Sequence, residues 1–241
     1  MERKHVDFSL IIPAYNEAGR IGSTLEHVQS YLGKQSYSSE IIVVDDGSTD
    51  NTAQIVQDGF PDVQVIRYEP NRGKGCAVRT GMLAAVGNYR VFYDADASTP
   101  IEELERLWPK FEEGADVVIG SRSLPDSFIE VPQPWYRAKM GKVFSLLVQL
   151  FGLWGIPDSQ CGFKGFTLHA VQTLFPRQTI EHFSFDVELL FIARKHKLRI
   201  EQVPVRWINC PLTRVNAITD SGRMLYELML IRFRDITGRY A

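Results

Sequence analysis

The sequence predicts an α/β fold, a mostly parallel twisted sheet with helices on both faces. Three observations carry that expectation. Five near-continuous apolar runs, at 8–12, 41–45, 63–67, 90–94 and 117–120, have the composition of strands buried on both sides. Helical stretches around 18–33, 50–58, 74–86 and 101–113 alternate with them, the βα grammar of a doubly wound sheet. Three of the apolar runs end in acids: Leu10–Ile12 leads to Glu17, Ile41–Val44 to Asp45 and Asp46, and Val91–Tyr93 to Asp94 and Asp96.

Taken in order, the first run leads through Pro13-Ala14-Tyr15-Asn16-Glu17 into the first helical stretch. Ser48-Thr49-Asp50 follows the second run and supplies side chains suited to starting a helix. Asn71-Arg72-Gly73-Lys74-Gly75 opens the third helix as a basic turn, useful near phosphates. It lacks the first glycine of a P-loop and the Ser/Thr after its lysine, and no Gly-x-Gly-x-x-Gly fingerprint occurs. Ser98-Thr99-Pro100, with Glu102 and Glu103 behind it, has the signature of a fourth helix start.

At 241 residues, with 44% hydrophobic and 23% charged residues, the chain has the makings of one sizeable soluble domain. Cys76, Cys161 and Cys210 are widely spaced and form no Cys-x-x-Cys pair. That argues against a disulfide framework or a zinc site, and fits a reducing compartment. The polar N-terminus runs into the first strand without the pattern of a signal peptide. No nucleophile triad is supported, and His182 and His196 lack metal-ligand spacing. Net charge is −2 but uneven: residues 194–241 carry ten basic against four acidic side chains, so the rest nets −8. An acid body gives no reason to expect nucleic acid, whereas the basic tail, with Arg223, Arg232 and Arg234, suits a phosphate or a lipid surface.

After Ser121-Arg122 the grammar changes. Pro125, Pro132 and Pro134 mark a loop, and Arg137, Lys139 and Lys142 lead into the apolar stretch Val143–Ile156. Fourteen residues are too few to span a bilayer. As a helix, the stretch has only a thin polar stripe, Ser145, Gln149 and Gly152. Composition alone favours a buried core helix; the other reading is a helix resting in a membrane interface, with basic residues at its entrance and Trp154 near its end.

The strand-end acids carry the chemistry. Ligands of open α/β sheets bind at the carboxyl edge, and carboxylates crowded there repel unless a cation joins them. A hard divalent metal holding a phosphate-bearing ligand, such as a nucleotide-sugar, follows. Asp46 can accept a hydrogen bond from the ring imino N–H of uracil, or from guanine; the same acid could equally be a helix cap or turn residue. Asp94 and Asp96, two apart, lean to one face of extended backbone.

Together, Pro13-Ala14-Tyr15-Asn16-Glu17, Val44-Asp45-Asp46-Gly47-Ser48-Thr49-Asp50, Asn71-Arg72-Gly73-Lys74-Gly75 and Asp94-Ala95-Asp96 resemble a family 2 glycosyltransferase of the GT-A fold. Gly120-Ser121-Arg122 and Asp158-Ser159-Gln160-Cys161-Gly162-Phe163-Lys164 resemble the enzymes that glycosylate polyprenyl phosphates. Asp94 to Pro100, Phe185-Asp186-Val187-Glu188-Leu189-Leu190 and Val203-Pro204-Val205-Arg206-Trp207 are similar to the dolichyl-phosphate β-glucosyltransferase branch. The resemblance covers nearly the whole chain.

It implies one glycosyltransferase domain over 1–241, with a nucleotide-sugar half at 1–122 and an acceptor and membrane-facing half at 123–241. It implies that Pro13, Tyr15, Glu17, Val44 and Asp46 hold the nucleoside, and that Asp94, Ala95 and Asp96 meet the diphosphate, with Asp94 and Asp96 on a Mg²⁺ or Mn²⁺ ion. Arg122 and Arg137 are expected at the lipid phosphate, Arg214 over the diphosphate and Asp158 facing the reaction centre. A C-terminal amphipathic helical region is expected beside the acceptor mouth. The implied reaction is inverting transfer of a hexose, glucose from UDP-glucose, to a polyprenyl or dolichyl phosphate by a protein peripheral to the cytoplasmic face of a membrane. Mannosyl-transferring relatives often carry Gln where this chain has Ser98, which weakens a GDP-mannose reading. The rivals are the same fold with GDP-mannose or a soluble acceptor, and a non-catalytic nucleotide-sugar or membrane-binding module.

Overall fold

A computed structural model of the chain describes residues 6–131, 135–208 and 219–241; within these, nothing is said of the side chains of 135–138, 142 and 219–221. Strand β1 (Phe8–Ala14) is buried along its entire length, and helix α1 (Ile21–Leu32) follows. Next come β2 (Ser39–Asp46), α2 (Thr52–Gly59), β3 (Val63–Tyr68), α3 (Lys74–Ala84) and β4 (Tyr89–Tyr93). The order of predicted elements thus holds through the first hundred residues, with ends shifted by one to three positions.

The predicted helix over 101–113 is broken. Ile101–Arg106 is a 3₁₀ turn, and α4 spans only Trp108–Glu112. Pro109 stands in the first turn of α4; with no N–H to give and a ring that crowds the preceding turn, it makes a continuous helix unfavourable. Beyond β5 (Val117–Ser121) lie β6 (Phe128–Ile129), α5 (Trp135–Leu150), β7 (Phe163–Thr167), α6 (Leu168–Leu174) and α7 (Phe185–Lys195). Strands β8 (Ile200–Pro204) and β9 (Arg206–Trp207) and helix α8 (Thr219–Ile236) complete the chain.

Seven strands form one sheet in the order β3-β2-β1-β4-β7-β5-β8. All neighbours are parallel except β7, which runs antiparallel to both β4 and β5. The reversal has a consequence for the site. Because Tyr93 pairs with Phe163, the residues just before β7 arrive at the carboxyl edge of β4. A parallel strand would have sent them to the opposite edge.

Alternate residues of each strand enter opposite core layers. Ile11, Ile42, Val44, Phe92 and Phe166 pack with α3, α6 and α7. Leu10, Ile12, Val43, Val91 and Phe163 pack on the other face with α1 and the 3₁₀ turn. This two-sided burial explains why the strand sequences read as unbroken apolar runs.

Candidate active site

The carboxyl edge opens into a cavity of about 670 Å³. Seven of the eight residues expected at the donor line it: Pro13, Tyr15, Glu17, Asp46, Asp94, Ala95 and Asp96. Val44 does not; it is fully buried one layer below, against the space left by Gly81 of α3. Tyr15 is 37% exposed at the cavity wall, and Glu17 pairs with Arg20, another lining residue.

Asp46 fastens the basic turn. Its carboxylate accepts hydrogen bonds from the Asn71 side chain (2.8 Å) and from the backbone N–H groups of Arg72 and Gly73 (both 2.8 Å). Gly73 begins α3 at φ 110°, and a Cβ there would strike the backbone of Glu181 and the ring of His182. The turn is therefore held from both sides, and α3 presents its N-terminal end, through Gly73 and Lys74, to the cavity. The adjacent Asp45 is turned inward, accepting from the Ser48 N–H at 3.0 Å with Arg67 at 3.4 Å.

Beneath the far wall runs a chain of alternating charge. Asp94 pairs with Lys74 at 2.6 Å, and Asp186 pairs with the fully buried Lys164 at 2.8 Å. Burial works against the Lys74 charge, but Asp94 and then Asp186 outweigh it and lift its pKa above the ordinary lysine value. Burial pushes the Asp186 carboxyl up, and Lys164 and Lys74 only partly offset this. Gly162 lies directly against Asp94, because a Cβ there would overlap the carboxylate. The Asp94 N–H also donates to the Gly162 carbonyl at 3.2 Å. Thus β7 locks the position of the metal-ligand candidate.

Asp96 accepts from the Ser98 N–H at 3.0 Å and otherwise faces the cavity. Two carboxylates on one wall form an oxygen donor set that fits a hard divalent ion. Among the described residues no third His, Cys, Asp or Glu joins them in a cluster, so any further coordination falls to ligand or water oxygens. Cysteine chemistry has no support here: burial pushes the Cys161 thiol up to about 11.

Asp158 is buried and grips Arg122. It accepts from the Arg122 backbone N–H, Nε and Nη2, all at 2.8 Å. Burial would raise the Asp158 pKa, but the Arg122 charge and hydrogen bonds hold it below the usual carboxylate value. The Arg122 guanidinium also stacks over Trp207, 5.4 Å from the ring centroid. Its Nη1 makes no hydrogen bond to the described residues, so one edge of the fork remains for an anion. Arg137 falls in the first turn of α5, though its side chain is outside the described part; Arg214 lies outside the described residues altogether.

In the flank built by α5 and α8, the helix expected over Val143–Ile156 stops at Leu150, and the apolar stretch is neither wholly buried nor wholly exposed. In and after α5, Val143, Leu146, Leu150 and Trp154 are 56–61% exposed, while Val148, Leu153 and Ile156 are buried. Ser145 of the polar stripe is half-buried beside Val148, and its hydroxyl donates to the Pro157 carbonyl at 2.6 Å. On α8, Leu225, Tyr226, Met229, Phe233 and Ile236 are exposed on one side, while Met224, Leu228 and Ile231 are buried on another. Arg234 is not a free surface charge, since it donates to Thr179 and lies 3.9 Å from Glu188. Arg232 stacks over Phe191 at 5.4 Å. No helix among the described residues is long and apolar enough to cross a membrane.

From the sequence Lys74 is expected only as part of a basic turn and Arg223 only as part of the basic tail, while Lys164, His182 and Phe183 carry no expected role. His182, Phe183 and Arg223 line the cavity from loops and a helix far along the chain. Spacing carries no signal for such through-space neighbours. The Phe185-Asp186 motif was the nearest hint of the buried Lys164–Asp186 pair.

Comparison with known proteins matches this geometry. A family model described as glycosyl transferase family 2 matches residues 9–175. The dolichyl-phosphate β-glucosyltransferase of Dictyostelium discoideum is 34% identical, over 97% of this chain and 76% of that protein. The protein of the same name from Saccharomyces cerevisiae is 35% identical, over 98% of this chain and 77% of its own length. Among solved structures, glucosyl-3-phosphoglycerate synthase from Mycobacterium tuberculosis, in complex with Mn²⁺, UDP and glucosyl-3-phosphoglycerate, superposes with a TM-score of 0.71 at 18% identity, covering 97% of this chain and 80% of that one. Mannosyl-3-phosphoglycerate synthase from Rubrobacter xylanophilus gives 0.72 at 20% identity, covering 97% and 75%. The two solved structures share the GT-A fold, while the family model and the curated relatives reach further, so that the chain belongs to glycosyl transferase family 2, in the branch of the dolichyl-phosphate β-glucosyltransferases.

Proposed function

We infer that this protein transfers glucose, with inversion, from UDP-glucose to a dolichyl or related polyprenyl phosphate. The observation that carries the reading is the convergence of seven expected donor-site residues on one acid-walled cavity, in a chain 32–37% identical to dolichyl-phosphate β-glucosyltransferases. Asp46 and the turn it fastens face the base and ribose; the Lys74 ammonium and the first turn of α3 face the diphosphate. A divalent ion, Mg²⁺ or Mn²⁺, would be held by Asp94 and Asp96 and would stabilise negative charge on the leaving diphosphate.

An acceptor phosphate has a second pKa of about 6, so it is largely dianionic at neutral pH and attacks C1 without a strong protein base. The new bond joins phosphate oxygen to C1 as the C1–O bond to UDP breaks. Arg122, with Nε and Nη2 engaged by Asp158, offers its remaining edge to position that phosphate. Arg137 and Arg214 are proposed as further phosphate contacts. One domain over 1–241 is proposed, with the donor bound by residues up to 122 and the acceptor by those beyond.

The polyprenyl tail stays in the bilayer, and the exposed apolar sides of α5 and α8 suit an interface on its cytoplasmic face. The test is a donor panel of radiolabelled UDP-glucose and GDP-mannose with dolichyl phosphate, with and without EDTA. Label entering the organic phase from UDP-glucose alone, and only with metal, is expected. Label from GDP-mannose, or only in the aqueous phase, would overturn the donor or the acceptor.

A further inference from the structure

Away from the acid cavity, a second cavity of about 430 Å³ lies between α3, the loop joining α6 to α7, and the end of α8. We propose that it binds a phosphate group, carried by a lipid headgroup or a small soluble ester. Three arginines line it: Arg79 from α3, Arg234 from α8 and Arg239 just beyond. Thr179 and Thr237 also line it, but their hydroxyls already donate to Glu188 and to the Phe233 and Arg234 carbonyls, so the guanidinium groups are the donors on offer. Among the described residues no carboxylate lines the cavity, the reverse of the donor cavity, where Glu17, Asp46, Asp94 and Asp96 do.

The arginines are not used up by the fold. Arg79 spends only Nε, on the Phe175 carbonyl at 2.9 Å. The Arg239 side chain makes no hydrogen bond or ion pair to the described residues. Arg234 approaches Glu188, but that buried carboxylate is already held by the Thr179 and Ile180 N–H groups, the Thr179 hydroxyl and the Tyr240 hydroxyl. Three guanidinium groups against one satisfied carboxylate leave a net positive concavity, with planar donors that suit phosphate oxygens.

Two neighbours sharpen the assignment. Phe233 and Ile236, 63% and 83% exposed, precede Thr237 and Arg239, so apolar surface adjoins the cations as a phospholipid requires. The strap 178–183 lines both cavities: Gln178 and Thr179 face this one, while His182 and Phe183 face the donor cavity. Between them Gly75 of α3 packs on the Ile180 carbonyl, and the Gln178 amide donates to Gly75 and Ile180. An anion here would brace the strap that forms part of the donor wall.

The test titrates the full chain with inorganic phosphate by calorimetry. In parallel, it is sedimented with phosphatidylcholine vesicles with and without phosphatidylglycerol. Arg79→Gln and Arg239→Gln are compared with the natural chain; Arg239→Gln removes no hydrogen bond or ion pair to the described residues and should keep the melting temperature. Each is expected to weaken phosphate binding about tenfold, the value of one charge-assisted hydrogen bond. Loss of binding to phosphatidylglycerol vesicles as well, with inorganic phosphate competing, assigns the headgroup. Loss of phosphate binding alone assigns a soluble ester. No phosphate binding by the natural chain, or binding unchanged in both variants, overturns the site.

Discussion

The donor cavity and the α5–α8 flank are built on opposite rules. In the cavity the acids are fastened from within: Asp46 by three N–H groups, Asp94 by Lys74, and Asp158, behind the wall, by Arg122. On the flank, the polar Ser145 is tucked under and the large apolar side chains face out. Patches of that kind mark surfaces meant for another phase or partner. The described acids of the first region are held by protein partners, whereas the second has apolar surface that the described residues leave uncovered.

Substitutions can break that contrast at four places. The largest effect is expected at Asp158. Replacing it with Ala leaves a largely buried guanidinium without its partner, which costs about 3–5 kcal/mol. The melting temperature should fall by roughly 10 °C. A fall of only a degree or two would show that the pair orients groups without supporting the fold. The pH dependence has a definite sign: the folded-state pKa lies below the unfolded value of 3.8, so this stability is present above that value and is lost as acid is added below it. In Asp158→Ala the loss of stability below about pH 4 should be shallower.

Asp96→Asn comes next, and its effect should fall on activity. Asp96 takes one hydrogen bond from Ser98, so stability should change by about 1 kcal/mol or less, while transfer drops about 10²–10³-fold. Unfolding of this variant, or unchanged transfer, would remove Asp96 from the metal. At Gly162, Ala would force its Cβ into the Asp94 carboxylate, at a cost of about 1–3 kcal/mol. Donor binding should weaken with it, and calorimetry with UDP checks this; unaltered binding would mean that Asp94 does not need that backing.

The smallest effect on stability belongs to the flank. Leu146→Ser, Met229→Ser and Phe233→Ser replace side chains already 56–63% exposed, so each should shift stability by only about 0.5 kcal/mol. Vesicle binding should nevertheless weaken by about 1 kcal/mol per side chain. Equal binding by the triple variant would show that the flank meets something other than a bilayer. Charge reversal at Arg234 is a poorer probe than the tail's charge implied, because that arginine supports Glu188 and Thr179.

The sequence by itself determined the βα order, the two-faced strands and the acids at their ends. These depend on local backbone sterics, on the period-2 alternation, and on apolar runs that read the same wherever the chain lies. The motifs that carry the family resemblance also pointed to residues of which seven line the cavity. Only the tertiary structure decided the rest. The antiparallel course of β7 placed Asp158 on Arg122 and Gly162 on Asp94, pairings across 36 and 68 residues that no spacing encodes. The same composition that favoured a buried core helix over Val143–Ile156 became a helix ending at Leu150, with part of the apolar stretch buried and part exposed. Which side of a nearly all-apolar helix is covered depends on what packs against it, and that is settled only once the sheet and its neighbours are in place.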